Sequence, residues 1–354
     1  MTEQQAIGAE RLAAMKRARL GNGLTTWLAL GAALLTSLLA ALACGRYPVS
    51  VGHVVEILLS RLIAMPHDWT AAESTVIEAV RLPRVLTASV AGAGLALCGG
   101  VLQGIFRNPL VGPQTMGVAS GAALGGVTAI LCVGFGAGVQ IGAFAGAAAA
   151  LAAVLALQRS DGQSAILTLV LAGVVVGAFC SALVGFVTFV ADPETQLPGI
   201  VFWLLGSFAA ANWLRAGLIT AFTCAAGIVL LAMRWRINAL SLGDEDARLL
   251  GLDPVKDRLI LLAAVCLIVS AQVAVSGTIG WIGLVVPNLA RMLVGADHRR
   301  MLPVATILGA IFMLAADTLA RDLTPAEIPV GIITAIVGTP FFAYLLRRTT
   351  SARR

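Results

Sequence analysis

The sequence predicts an all-α fold, a polytopic membrane protein with about ten transmembrane helices in a single domain covering 1–354. Three observations carry this. Of the 354 residues, 59% are hydrophobic and only 12% are charged, against roughly a quarter charged in an ordinary soluble domain. The apolar residues come in runs near the roughly 20 that cross a bilayer. The 38 glycines suit close helix–helix approach, where small residues let backbones meet. A backbone in lipid must satisfy its own hydrogen bonds, so each run is a helix. A transmembrane β-barrel would show short alternating strands instead.

In chain order the spans fall near 24–44, 85–106, 115–134, 138–157, 165–190, 213–233, 259–276, 280–295, 303–320 and 329–346. The first is full length and ends at Cys44-Gly45-Arg46-Tyr47-Pro48, which predicts a retained helix, not a cleaved leader. An even number of spans puts both termini on one side. With that side cytoplasmic, 18 of the 24 basic residues lie inside, including the tail 1–23 and the long connector 234–258. The positive-inside rule therefore orients the chain with both termini in the cytoplasm. It also accounts for the net charge of +6 without nucleic acid.

Two connectors on the outer side are more than turns. Val51 to Ile63 has helical spacing and reads as a short helix at the membrane surface. Asp192 to Asn212 starts polar, then turns apolar for too few residues to cross, and reads as a short helix tucked back into the protein.

Several chemistries are excluded. The chain has two lysines, Lys16 and Lys256, and neither follows glycine, so there is no phosphate-binding P-loop. His53, His67 and His298 do not share a helix at metal-ligand spacing, and no Cys-x-x-Cys occurs among the six cysteines. No metal site, resident cofactor or catalytic residue is predicted. His298, in Asp297-His298-Arg299-Arg300, reads as solvated. Asp317 is the one acidic residue within a predicted span; it can pair with Arg321 one turn on, a thin basis for ion coupling.

Four features carry mechanism. The connector from Arg234 to Pro254 is long and contains a leucine-bearing helix. Its predicted start is a capping box between Ser241 and Asp244, and its predicted stop is Gly251 followed by Pro254. Leu242, Leu249, Leu250 and Leu252 would give it a docking surface for another protein. The second feature runs from Arg81 to Ala122 and contains Arg81-Leu-Pro-Arg84, Arg107-Asn-Pro-Leu-Val-Gly-Pro113 and Met116-Gly-Val-Ala-Ser-Gly-Ala122. Arginines at the outer mouth of a span can meet an acidic partner or snorkel to the headgroups, and both readings stay open here. The third and fourth, 277–291 and 327–341, are rich in Gly and Pro within apolar helices. They predict broken or closely packed helices along a pathway.

Six ordered stretches resemble the FecCD family of permease subunits: RLPR (81–84), QGIFRNPLVGP (103–113), FWLLGS (202–207), LGDEDARLLGL (242–252), GTIGWIGLVVPNLAR (277–291) and EIPVGIITAIVGTPFF (327–342). These permeases belong to type II ABC importers for iron–siderophore chelates, haem, vitamin B12 and related ligands. The resemblance implies the type II importer permease fold in a bacterial inner membrane, paired with a second copy of itself. It implies two P-loop ATPase subunits, which hold the ATP and Mg, and a periplasmic substrate-binding protein outside.

The resemblance also assigns residues. Arg81, Arg84 and Arg321 match the arginines that receive acidic side chains of the binding protein. Leu242, Gly243, Asp244, Glu245, Ala247, Arg248, Leu250 and Gly251 match the helix that couples to the ATPase. Asn108 and Leu110 match residues near the cytoplasmic gate. The segment 158–164 does not align with the second gate. Within the family an iron-bearing chelate is expected as cargo, haem first, then ferric siderophore, then vitamin B12; molybdate is the alternative of the same family. An ion-coupled secondary transporter is the alternative of another class, and the long connector and the shortage of intramembrane carboxylates argue against it. A membrane-embedded enzyme is the third reading; the absence of paired carboxylates or a histidine cluster argues against it.

Overall fold

The computed structural model describes residues 24–63, 68–157 and 164–351, and these are helical with no strand among them. In order, the helices are α1 (Leu24–Ala43), α2 (Val51–Ser60), α3 (Ala71–Thr75), α4 (Leu82–Ile105), α5 (Val118–Val133), α6 (Ala137–Leu157), α7 (Ser164–Val190) and α8 (Leu197–Leu204). Then come α9 (Trp213–Ala232), α10 (Arg234–Leu242), α11 (Asp244–Leu249), α12 (Pro254–Ser276), α13 (Ile282–Val294), α14 (His298–Asp322) and α15 (Val330–Ser351). Seven helices among the described residues are long and apolar enough to cross a membrane. Three shorter apolar stretches of helix, α5, α13 and the part Val330–Tyr344 of α15, occupy the other three predicted spans. The short helices α2 and α8 lie where the two outer connectors predicted them. The tail 1–23 lies outside the described residues.

α4 and α12 form the centre. Each is 78% buried over its apolar window, whereas α1, of the same mean hydropathy as α4, is 17% buried. Small residues make the central packing possible. A Cβ on Gly92 of α4 would run into the carbonyl oxygen of Gly309 on α14, and one on Gly99 into that of Gly283 on α13. Gly121 and Gly125 of α5 meet Gly146 and Gly142 of α6 in the same way. In lipid, where apolar side chains gain nothing by leaving the solvent, such backbone contact supplies the attraction.

The second predicted span starts earlier than its hydropathy. Helix runs without a break from Ala71 to Ile105, and residues Val76–Arg81 form a π-helical turn. There the Leu82 N–H reaches back to the Ile77 carbonyl, five residues away. Pro83 follows, and the widened turn precedes a residue that lacks an N–H and crowds the turn before it. A capping box between Thr70 and Glu73 opens this helix.

α12 and α13 are two spans joined by a non-helical turn: the start of α12 bonds the connector through Arg258, and the residues just after α13, Asp297 and His298, bond it again through Asn238. α12 stops at Ser276, and residues 277–281 run without helix before α13 begins. Gly277 has φ +68°, and a Cβ there would strike the Trp203 carbonyl. The freed polar groups find partners. Gln272 Nε2 donates to the Gly277 carbonyl at 2.9 Å, Ser207 N–H donates to the Ser276 carbonyl at 2.9 Å, and Thr278 Oγ1 donates to the Leu204 carbonyl at 2.5 Å. Non-helical backbone inside a membrane bundle is tolerated where it finds such partners in the protein.

Candidate functional site

The connector 234–258 is helical for most of its length. α10 follows α9 after a kink at Met233 and buries Ile237, Ala239 and Leu240 against the bundle. α11 follows Gly243, whose φ of +144° turns the chain. The expected capping box does not form: Ser241 Oγ donates to the Asn238 carbonyl at 2.6 Å, because α10 is still helical there. Asp244 bonds instead to Arg258 of α12, Oδ1 to Nη2 at 2.8 Å. Asp244, Glu245 and Asp246 still fill the first turn of α11, where the helix dipole favours acids.

The far end matches its prediction. Gly251 (φ +79°) closes α11, with its N–H donating to the Arg248 carbonyl and the Leu252 N–H donating to the Ala247 carbonyl at 3.0 Å. That pair of bonds is the left-handed glycine stop of a helix. Pro254 does not merely end a helix; it opens α12, with Asp253 as N-cap accepting from Val255 and Lys256. Ala247 is buried, while Leu242, Leu249, Leu250 and Val255 are exposed, Leu249 to 87%. An apolar patch is thus held out on a helix whose other face is anchored.

The anchors are polar. Besides Asp244–Arg258, Arg236 of α10 pairs with the buried Asp257 of α12 at 2.5 Å. Asn238 of α10 bonds to Asp297 and His298 at the start of α14. His298 is 6% exposed and so is not solvated as predicted; α4 and α10 cover it.

At this same end, α4 runs into the loop 106–117. Arg107 has φ +52°. Asn108 Oδ1 accepts from the Leu110 N–H at 2.9 Å, which sets a tight turn, and Leu110 is exposed. The Arg107 guanidinium lies beside Gly243 of the connector. A small cavity sits deeper, between this loop and the turn that leads into α13, lined by Gln114, Thr115, Gly280, Trp281 and Leu284. The segment 158–163, where the second gate was sought, lies outside the described residues.

The opposite end of the bundle gathers the three arginines of the docking expectation. All three are buried and bonded inward. Arg81 donates to the carbonyls of Leu42 and Ala43 at the end of α1, and to that of Tyr47. Arg321 donates to the Ala41 carbonyl of the same helix end. Two cations thus complement the α1 C-terminus. Arg84 bridges two acids: Asp317 of α14 at 2.9 Å and Glu327, before α15, at 2.9 Å. Asp317 also lies 3.3 Å from Arg321, the pairing expected one turn on. Charges in a membrane bundle are held by such partners.

Comparison with known proteins decides the family. The model of the FecCD transport family matches residues 33–348. The chain belongs to the FecCD transport family. This FecCD permease is 42% identical over 314 residues to the "Molybdate import system permease protein MolB" of Haemophilus influenzae, which covers 88% of this chain and 92% of that one. It is 46% identical over 277 residues to the "Probable iron chelatin transport system permease protein" of Helicobacter pylori, covering 78% of this chain and 83% of that one. A solved structure described as an inward-facing metal-chelate type ABC transporter superposes with a TM-score of 0.82 at 39% identity, over 92% of this chain and 99% of that one. The protein is therefore an ABC importer permease of this family with the type II importer fold.

Residue-by-residue reading missed the partners that fix this FecCD permease's connector. Asn238, Asp257 and His298 carry no local pattern, and only spatial neighbours 60 or 21 residues away reveal them. Glu327 was visible within a motif, but not its bond to Arg84.

Proposed function

We propose that this permease works as a pair with a second copy of itself, in a bacterial inner membrane, driven by two P-loop ATPase subunits and loaded by a periplasmic substrate-binding protein. One observation carries the reading: the exposed leucines at the end of α11 sit on a helix tied by the Asp244–Arg258 ion pair to α12, so force applied there is delivered to the bundle. The side bearing α10 and α11 is then cytoplasmic, as are both termini. Leu242, Gly243, Asp244, Glu245, Ala247, Arg248, Leu250 and Gly251 form the element that meets the ATPase, and Asn108 and Leu110 form the gate. ATP and Mg belong to that partner; this chain needs no cofactor of its own.

The binding protein would dock over the Arg81, Arg84 and Arg321 cluster. Arg84 is the point of exchange, because its partner Glu327 is 29% exposed while Asp317 is sealed. An incoming carboxylate would compete with Glu327 and leave Asp317 in place. ATP binding then biases the pair between outward-open and inward-open states by differential affinity.

For cargo the reading is an iron-bearing chelate, haem first and ferric siderophore next. The similarity to the Helicobacter pylori iron chelatin permease protein and to the metal-chelate type transporter supports it. Molybdate is the second reading, favoured by the similarity to the Haemophilus protein. Purifying the tagged chain in mild detergent, with mass spectrometry of what accompanies it, tests both levels. A P-loop ATPase at equal stoichiometry supports the importer, and the ligand of the accompanying binding protein names the cargo. A chain that purifies alone and transports without ATP overturns the reading.

A further inference from the structure

α10, α14 and α4 meet at one joint near the exposed connector. Asn238 of α10 faces Asp297 and His298. Its Nδ2 donates to Asp297 Oδ1 at 2.6 Å, and a carboxylate can only accept, so its Oδ1 is the atom turned to His298. That oxygen accepts from the His298 backbone N–H at 2.9 Å and from His298 Nδ1 at 2.7 Å. The imidazole is thereby held with its proton on Nδ1. Asp297 is also the N-cap of α14, accepting from the Arg299 N–H at 2.9 Å. One amide thus grips the first turn of α14 at three atoms.

The third element is α4. His298 Nε2 has no hydrogen-bond partner among the described residues and is turned against Gly104, where an added Cβ would lie 2.6 Å from Nε2 and 2.7 Å from Ile237 Cγ2 of α10. There is no slack between coupling connector, imidazole and α4. Three residues after Gly104, α4 gives way to Arg107, Asn108 and Leu110.

We infer that Asn238, His298 and Gly104 form the joint that passes movement of the coupling connector to the gate loop. His298 is a positioning residue: its Nδ1 proton engages the connector while its ring bears on the last turn of α4. The inference rests on the coupling and gate roles given under Proposed function.

The test follows the gate directly and needs no cargo. In the assembled complex carrying Leu110→Cys, alkylation of that site by a water-soluble maleimide is measured by peptide mass spectrometry, without nucleotide and after trapping with ATP and vanadate. The unaltered joint should show at least a fivefold change in rate between the two conditions. His298→Gln places its amide near the Nε2 position and gives up the bond to Asn238; it should reduce the change to under twofold. His298→Asn places its amide near the Nδ1 position, keeps that bond and should retain the change. Gly104→Ala should lose the change, because its methyl would press on both His298 Nε2 and Ile237 Cγ2. Opposite responses of His298→Gln and His298→Asn, which remove the same imidazole, are not expected if the residue serves only stability. If the unaltered joint responds and His298→Gln and Gly104→Ala respond equally, the joint is not the transmitting element. If no chain responds, the gate reading itself fails, and this inference with it.

Discussion

Arg84 on α4 and Asp317 on α14 lie 2.9 Å apart, Nη2 to Oδ1, across 233 residues of sequence, and both are buried. Both Oδ atoms accept from Nε as well, each at 3.1 Å, so the carboxylate is gripped along one side of the guanidinium. Arg321 approaches the same carboxylate from its own helix. The acid therefore holds two cations, and its removal should cost more than one surface pair. Asp317→Asn is expected to destabilise the permease by about 3–5 kcal/mol, the cost of stranding a buried charge. Thermal unfolding in detergent measures it. An unchanged melting temperature would mean that water replaces the lost carboxylate.

The same burial changes how docking should be tested. Charge reversal of Arg81 or Arg84 would strand Asp317 and the end of α1, and so confound docking with folding. Glu327→Gln removes the charge of the half-buried competitor and keeps Asp317. It is expected to tighten the complex with the binding protein, measured by surface plasmon resonance on nanodiscs, with unfolding little changed. Weaker binding would sink the exchange proposed at Arg84.

Glycine substitutions should divide by geometry. Gly99→Ala drives a methyl into the Gly283 carbonyl and should cost about 1–3 kcal/mol, as overpacking does. Gly217→Ala on α9 meets nothing within 4 Å among the described residues and should be neutral or slightly stabilising. Paired melting curves in one detergent provide the check, and equal effects would contradict the α4–α13 contact.

Leu249 is 87% exposed on α11 and packs on nothing that the fold needs. Leu249→Glu should lower recovery of the ATPase in pull-downs at least tenfold while the melting temperature of the isolated permease stays put, since exposed substitutions usually fall within about 0.5 kcal/mol. Undiminished recovery would remove α11 from the ATPase contact.

His53 on α2 bonds to Glu73 on α3, Nδ1 to Oε1 at 2.9 Å. That bond, with the nearby charges of Glu73, Glu56 and Asp68, raises the His53 pKa above its usual value of about 6.5, although partial desolvation works the other way. A raised folded pKa means that the pair stabilises fully below about pH 6.5 and loses its effect as pH climbs through the raised value. Hydrogen exchange in 51–60 should therefore quicken above that window, and His53→Gln should flatten the dependence. A profile unaltered by the substitution would show that the pair does not hold α2.

The spans were legible because transfer from water to lipid is a local property, summed over about 20 neighbouring residues. The helix stop at Gly251 was legible for a similar reason: it needs one glycine and bonds within one turn. The start of α11 was misread. Ser241 offered a capping pattern, but α10 continues through it and its hydroxyl bonds within that helix. His298 looked solvated among charged neighbours because nothing local shows that Asn238 and Gly104 close over it.

By itself, the sequence determined that the chain crosses a membrane in about ten helices, and its six motifs marked a FecCD permease. Only the tertiary structure decided which helices form the centre and where each charge finds its partner. α1 and α4 have the same hydropathy, yet one is 17% and the other 78% buried. The reason is physical. Lipid tails are as apolar as leucine, so hydropathy drives a helix into the membrane without saying whether it will face lipid or protein. That choice falls to close backbone contacts such as Gly92 with Gly309, and to bonds such as Arg84 with Asp317. Both join residues far apart in the chain, and neither exists until the helices have packed.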